Sequence, residues 1–369
     1  AFLRASARRT WRYFAEFVGP QDNWLPPDNY QEYPAPVIAS RTSPTNMGMS
    51  LLADLAAYDF GYICAAECLR RAENTLATME KLERYRGHFY NWYDTHTLKP
   101  LSPQYVSSVD SGNLAGSLLT LQAGLIELKH QPVLSSSAFQ GLQDTLRVFI
   151  EHLPASPTPV LARQVRFLQD TLYALTLPEF TASERTTAAE PQTVADACSL
   201  LDEIHHTDGA LVAWLPLDID IDGELYYWAQ AFDRQVSAIL QDLRFLVPGP
   251  EMGPRTFSSI PTLAELARAG ATGTEAQTPA AADATAGSRF KHAVERLRII
   301  DDLVERCREL SLMDFEFLYD SSRNLLTIGY DVAERRRDPA CYDLLASEAR
   351  LASFLLIAQG QVPQKHWFS

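Results

Sequence analysis

Apolar residues recur at three- and four-residue spacing through most of this chain, and that period predicts a helix wherever it persists. The first such stretch runs from about Ser6 to Val18, with Trp11, Phe14, Phe17 and Val18 as its apolar positions. A second follows R-T-S-P-T-N, where Ser43 suits an N-cap and Pro44 the first helical position, and continues through Met47, Leu51, Leu55 and Tyr58. A third spans about Ile63 to Arg84 on Leu69, Leu76, Met79 and Leu82. Further helices are expected at about 114–129, 136–153, 160–176 and 191–206, and at 223–246 with Leu225, Trp228, Phe232, Val236 and Leu240 on one face. A long one is expected at about 288–310, and a last one from Cys341 to Gly360, where glycine ends it.

The period breaks at three kinds of segment. F-E-F-L-Y and L-L-T-I-G-Y flank D-S-S-R-N and predict a short hairpin near 315–330. Pro248–Gly287 is rich in Pro, Ala, Gly and Thr, and its latter half predicts a flexible insertion, placed at 250–287. The remaining breaks are polar and aromatic. One is N-W-L-P-P-D-N-Y-Q-E-Y-P, with Asp28, Asn29 and Glu32; the other runs from Gly87 to Gly116 and crowds Phe89, Tyr90, Trp92 and Tyr93 around Asn91 and Asp94. Aromatic faces stack on the C–H faces of sugar rings while short polar side chains fix hydroxyls, so this mix suits a sugar site. An ordinary loop with half-buried aromatics is the alternative reading of the same residues. Ser108, Asp110 or Ser111 is expected to cap a helix opening at Gly112–Leu114.

Paired helices with polar, aromatic loops at their ends predict an all-α fold of the α/α toroid type, one domain over 1–369 with a single small hairpin. A helical solenoid is the rival, but no repeat period is visible.

Composition narrows the chemistry. A net charge of -14 argues against nucleic acid or an anionic membrane surface as partner. Aromatics at 10% leave enough rings for stacking platforms beyond the core. Five scattered cysteines give no disulfide framework, and Cys64 and Cys68, at helical spacing, lack a second pair to complete a zinc set. No apolar run is long enough to span a bilayer, and no signal peptide is evident. D-I-D-I-D-G from Asp218 imitates the start of a calcium loop, but Ala229 stands where its bidentate carboxylate belongs. His205 and His206 are adjacent and diverge on a helix, and Arg335–Arg337 reads as a solvated turn. No phosphate loop, dinucleotide fingerprint or nucleophile elbow appears, so no cofactor and no metal are expected. What remains is carboxylates in polar or aromatic loops: Asp28, Glu32, Asp94, Asp110, Asp320, Asp331, Asp343 and Glu348. Glycoside chemistry needs two of these across a glycosidic bond, and spacing alone does not pair them.

Six motifs are more specific than these arguments. N-W-L-P-P-D-N-Y-Q-E, R-T-S-P-T-N, G-H-F-Y-N-W-Y-D-T, Y-V-S-S-V-D-S-G-N-L-A-G, D-F-E-F-L-Y-D-S-S-R-N-L-L-T-I-G-Y and C-Y-D-L-L-A-S-E-A-R with P-Q-K-H-W-F stand in order along the chain. Together they resemble the central region of the bacterial cyclic β-1,2-glucan synthases, which is related to the glucoamylase-like β-1,2-glucanases. The resemblance covers nearly the whole chain, fails near 250–287 and is weak around 130–225.

It implies an (α/α)6-type barrel, incomplete in this chain, that acts on linear β-1,2-glucan by a retaining transglycosylation and closes it into a ring. It implies a synthase in the bacterial inner membrane with this region on the cytoplasmic side, joined to other domains of the same protein, and with no membrane insertion by this segment itself. A β-1,2-glucan hydrolase and a non-catalytic glucan-binding segment are the alternatives. The chain starts at Ala1 inside a helical pattern and stops at Ser369, so it reads as part of something longer, and the resemblance implies that the catalytic glutamates lie past its end. The sugar-binding wall is expected from Trp24, Asp28, Asn29, Arg41, Asn46, Asn91, Trp92, Asp94, Asp110 and Asn113, with Trp92 as the stacking ring.

Overall fold

The structure is a computed structural model that describes residues 2–176, 191, 193–206, 211–216, 219–247, 257, 259–272, 290–343 and 345–369. Among these, eleven α-helices and twelve short strands appear. The helices are α1 (Phe2–Phe17), α2 (Pro44–Asp59), α3 (Ala65–Met79), α4 (Ser108–Leu128), α5 (Ser136–Glu151), α6 (Pro159–Thr176), α7 (Val194–His206), α8 (Glu224–Leu246), α9 (Leu263–Thr272), α10 (Lys291–Ser311) and α11 (Arg350–Ala358). The mainly helical class expected from the apolar period is what the structure has. None of the described helices is long and apolar enough to cross a membrane. Of the insertion expected at 250–287, residues 263–272 form α9; the rest, apart from 257 and 259–262, lies outside the described residues.

The chain divides into two compact units. The first holds residues 1–12, 56–69 and 127–300. Its core is built on α5, which packs against α6 and α8, while α8 also packs against α7. Phe139, Leu142, Leu146 and Phe149 of α5 meet Leu161, Val165, Leu168 and Leu172 of α6 and Trp228, Phe232, Val236 and Leu243 of α8, all buried. Along α5 and α6 these follow at three- and four-residue steps, and along α8 at four- and seven-residue steps, so the helical period and the buried stripe coincide. A buried polar chain crosses this core. Arg8 Nε donates to Thr145 Oγ1 at 2.7 Å, Thr145 Oγ1 bonds Gln235 Oε1 at 2.6 Å, and Gln235 Nε2 donates to the Gly61 carbonyl at 2.6 Å. Burial pulls the Arg8 guanidinium down to about 10. The Gly61 turn admits no side chain: its φ is +76°, and a Cβ would stand 2.0 Å from the Ser137 carbonyl oxygen of α5.

The second unit holds residues 13–55, 70–126 and 301–369. Here α2 and α4 pack closely, with Gly124 of α4 against Leu55. Gly112 does the same for α11, since a Cβ there would stand 2.3 Å from Ala352 Cβ. Arg306 of α10 holds Glu80 through Nε at 2.6 Å. Five small sheets lie in this unit, four more than the single hairpin expected. The expected hairpin is β8 (Tyr319–Asp320) with β9 (Leu325–Thr327), in the register Tyr319↔Leu326. The helix expected from Cys341 starts only at Arg350. Its first residues form β12 (Cys341–Tyr342), which pairs with β9 through Cys341↔Thr327, and Ser347–Ala349 forms a single 3-10 turn. The other sheets join β1 (Tyr30–Gln31) to β2 (Val37–Ile38), β3 (Arg41–Thr42) to β6 (Tyr93–Asp94), β4 (Arg84–Tyr85) to β5 (His88–Phe89), and β7 (Tyr105–Ser107) to β10 (Gly329–Asp331) and β11 (Arg336–Arg337).

Candidate functional site

The polar, aromatic loops of the second unit are organised by strand-to-helix junctions. β3 leads into α2 at Pro44, and Ser43 caps that helix as its sequence suggests: Ser43 Oγ accepts the Asn46 amide at 3.2 Å. β7 leads into α4, which begins at Ser108 rather than at Gly112. Its cap is Ser107, whose Oγ accepts the Asp110 amide at 3.2 Å. The expected caps are occupied elsewhere. Ser108 Oγ donates to the Thr327 carbonyl, Ser111 Oγ bonds His88, and Asp110 takes a hydrogen bond from Thr45.

At the first junction the site residues converge on Asp28. Arg41 Nη2 lies 2.9 Å from Asp28 Oδ2, and Arg41 Nε donates to the same oxygen at 3.2 Å. Asn29 Nδ2 donates to Asp28 Oδ2 at 3.1 Å and Asn46 Nδ2 reaches Asp28 Oδ1 at 3.5 Å. The Arg41 guanidinium also lies over the Trp92 ring, 4.9 Å from its centroid, so one indole face is already covered by a cation. β3 and β6 set this contact, because their register places Arg41 opposite Asp94, two residues past Trp92. One residue before Asn46, Thr45 Oγ1 donates to Asp110 Oδ1 at 2.6 Å and accepts from Asn113 Nδ2 at 3.2 Å. Asn91 is tied through its main chain, its amide donating to the Tyr105 carbonyl at 2.7 Å.

Two expected residues stand apart in their contacts. Asp94 Oδ1 takes the amides of His96 and Thr97 and the Thr97 hydroxyl, at 3.1, 2.7 and 2.9 Å. Those donors hold its carboxyl below the usual range, the Thr97 amide most of all, and commit that oxygen to its own turn. Trp24 has a left-handed φ of 62°, its carbonyl accepts from Thr75 Oγ1 of α3, and its ring lies 4.6 Å from the Arg70 guanidinium. Trp24 therefore meets α3 rather than the Asp28 group.

Beside Asp28 lies a pocket of about 360 Å³, walled by Asp28, Asn29 and Asn46 together with Tyr13, Phe14, Pro27, Tyr30 and Met49. The Tyr13 hydroxyl donates to the Pro27 carbonyl at 2.7 Å, and burial, then the Asp28 and Asp22 charges, raise its pKa. Tyr30 stacks on Phe17 at 4.9 Å. These aromatic walls were not singled out from the sequence. Phe14 reads there as an ordinary apolar position of α1, and nothing local says that α1 turns Tyr13 and Phe14 to the N-W-L-P-P-D loop. The pocket lining combines aromatic rings that can stack with one carboxylate and two carboxamides that can accept or donate hydrogen bonds. Among the described residues, no group of three His, Cys, Asp or Glu side chains is placed to hold a metal ion.

No family model matches this chain. It is 35% identical over 374 residues, covering 99% of its own length, to the cyclic beta-(1,2)-glucan synthase NdvB of Rhizobium meliloti (strain 1021). The likeness to these synthases expected from the six motifs is thus present from end to end, while the chain spans only 11% of that relative. Among solved structures, a putative glucoamylase from Bacteroides fragilis NCTC 9343 is 15% identical, with 98% of this chain and 92% of that one covered at a TM-score of 0.29. An endo-beta-1,2-glucanase from Chitinophaga pinensis is 14% identical, with 98% and 93% covered at 0.28. At such scores these two likenesses carry no weight for the fold or chemistry of this chain.

Proposed function

We propose that this chain supplies a glucan-binding wall of a glycoside transglycosylase that acts on linear β-1,2-glucan and closes it into a ring. The observation that carries the reading is the likeness to a cyclic glucan synthase along nearly the whole chain. The pocket at Asp28 supports it, because hydroxyl-fixing groups and aromatic rings share its lining. In this reading the helices form part of an α/α toroid. The sugar ring enters beside Asp28, its hydroxyls donate to the carboxylate, and Asn29 and Asn46 complete the hydrogen bonds.

A retaining mechanism would take one carboxylate as nucleophile and a second carboxylic acid to protonate the leaving oxygen, then to activate an incoming sugar hydroxyl as base. Asp28, Asp94 and Asp110 are each engaged by protein donors. They suit binding and orientation better than proton transfer, and the catalytic pair is assigned to other residues. That engagement also favours a second reading, in which this segment binds glucan without cleaving it. In the same reading the chain is joined to other domains of a synthase seated at the cytoplasmic face of the inner membrane.

The test is calorimetric titration with linear β-1,2-glucan. Asp28→Ala should weaken binding about tenfold to a hundredfold, because a hydrogen bond to a charged group contributes about 1.5–3 kcal/mol. An unchanged affinity in a folded variant would remove the pocket from the site. Product analysis on the same glucan separates the two readings: rings for the transglycosylase, intact chain for the binding segment.

A further inference from the structure

A polymer cannot be held inside a pocket of about 360 Å³, which is near the lower end for small-molecule sites. Any chain seated at Asp28 has to leave across the rim. At Tyr30 that rim becomes the β1–β2 hairpin, in the register Tyr30↔Ile38 and Gln31↔Val37. The hairpin grows directly out of the site residues: the Asp28 amide donates to the Ala39 carbonyl and the Ala39 amide to the Asn29 carbonyl, both at 3.0 Å. Gln31 Nε2 donates to the Tyr33 carbonyl at 2.6 Å and fixes the tip.

This small hairpin keeps four large side chains in water. Tyr30 is 38% exposed, Tyr33 83%, Val37 53% and Ile38 42%. Exposed apolar residues scattered singly need no cause, but Tyr30 and Ile38, paired across the ladder on one face at the edge of a pocket, with Tyr33 exposed at the tip, mark a contact surface; Val37 lies on the other face. The pocket decides what kind of contact. An apolar partner lying over both hairpin and pocket would strip water from Asp28, Asn29 and Asn46 without replacing its hydrogen bonds. A sugar chain satisfies both parts, with hydroxyls for the pocket and C–H faces for the rings. Tyrosine also loses little side-chain entropy when it is ordered on binding.

We propose that hairpin 30–38, with Tyr33 at its tip, is an outer subsite that receives the glucose units running out of the Asp28 pocket, Tyr33 stacking on a pyranose ring. The proposal rests on the reading that this chain binds β-1,2-glucan, and it makes the hairpin the element that favours long chains over short ones.

The experiment titrates a short β-1,2-linked glucose oligomer that fits within the pocket, and a long linear β-1,2-glucan, into wild type, Tyr33→Ala and Tyr33→Phe. Thermal melts confirm that each variant is folded. Tyr33→Ala should weaken the long glucan about fivefold to tenfold, the worth of one stacked ring, and leave the short oligomer unchanged, while Tyr33→Phe keeps wild-type affinity for both. If Tyr33→Ala binds the long glucan as wild type does, the outer subsite is overturned and glucan binding itself stands. If short and long lose affinity alike, Tyr33 acts on the pocket and the proposal fails in that form. If wild type binds neither sugar, the glucan reading falls and the subsite falls with it.

Discussion

Replacing Arg71 with methionine should cost about 3–5 kcal/mol of stability. Arg71 and Asp54 form an ion pair at 2.6 Å between α3 and α2, with side chains only 4% and 1% exposed. The same guanidinium donates to the Val18 carbonyl at 3.3 Å and the Phe14 carbonyl at 3.0 Å, at the end of α1. Methionine fills much of the volume but leaves a carboxylate without its cation and two carbonyls without this donor. Breaking such a pair is far costlier than replacing both partners, so Asp54→Leu combined with Arg71→Met should recover most of the loss. Urea unfolding of wild type, single and double variants measures both effects. A loss of only about 1 kcal/mol in the single variant, the worth of a solvated pair, would mean that water reaches Asp54. The consequence extends to the site, because Phe14, whose carbonyl Arg71 holds, is one wall of the Asp28 pocket.

The second large effect is a loss of stability in acid, traced to His88. Its ring is fully buried, and burial pulls its pKa from 6.5 down to about 4. Nε2 lies 2.8 Å from the Asp314 carbonyl, which only accepts, so Nε2 carries the proton; Nδ1, 2.8 Å from Ser111 Oγ, accepts. The folded protein therefore holds the neutral ring, whereas the unfolded chain takes up a proton near 6.5. A folded pKa below the unfolded one gives stability that is present above 6.5 and lost as pH falls toward 4. A shift of this size corresponds to about 3 kcal/mol across that window. Carboxylates titrate in the lower part of the same range, so the decisive quantity is the difference between wild type and His88→Gln. The glutamine amide can donate to Asp314 and accept from Ser111 without titrating. Its unfolding midpoint should fall less than that of wild type between about pH 7 and about pH 4. Parallel curves would acquit His88.

Much of this protein is legible in its residue pattern. The apolar period is a local property of each helix: of the five positions it marks on α8, Trp228, Phe232, Val236 and Leu240 are buried and Leu225 is partly buried. The Ser43–Pro44 start of α2 was equally readable, because a cap is decided within four residues. The small sheets were not. Their strands are two or three residues long, and some find partners far along the chain, Arg41 opposite Asp94 and Tyr105 opposite Asp331. No period exists in two residues, and Cys341–Tyr342 looked helical because it runs into a true helical pattern.

The site divides in the same way. Its motifs name the loops, and Asp28, Asn29, Arg41, Asn46 and Trp92 do meet. The role of each charge came only from its neighbours in space. Arg41 covers one face of Trp92, the turn of its own loop claims an Asp94 oxygen, and Trp24 faces α3. The sequence by itself determined which segments are helical and which loops are polar and aromatic, because both depend on residues adjacent along the chain. Only the tertiary structure decided which carboxylate borders the pocket and which rings wall it, because a short-range hydrogen bond or ring contact depends on where the backbone brings distant loops together.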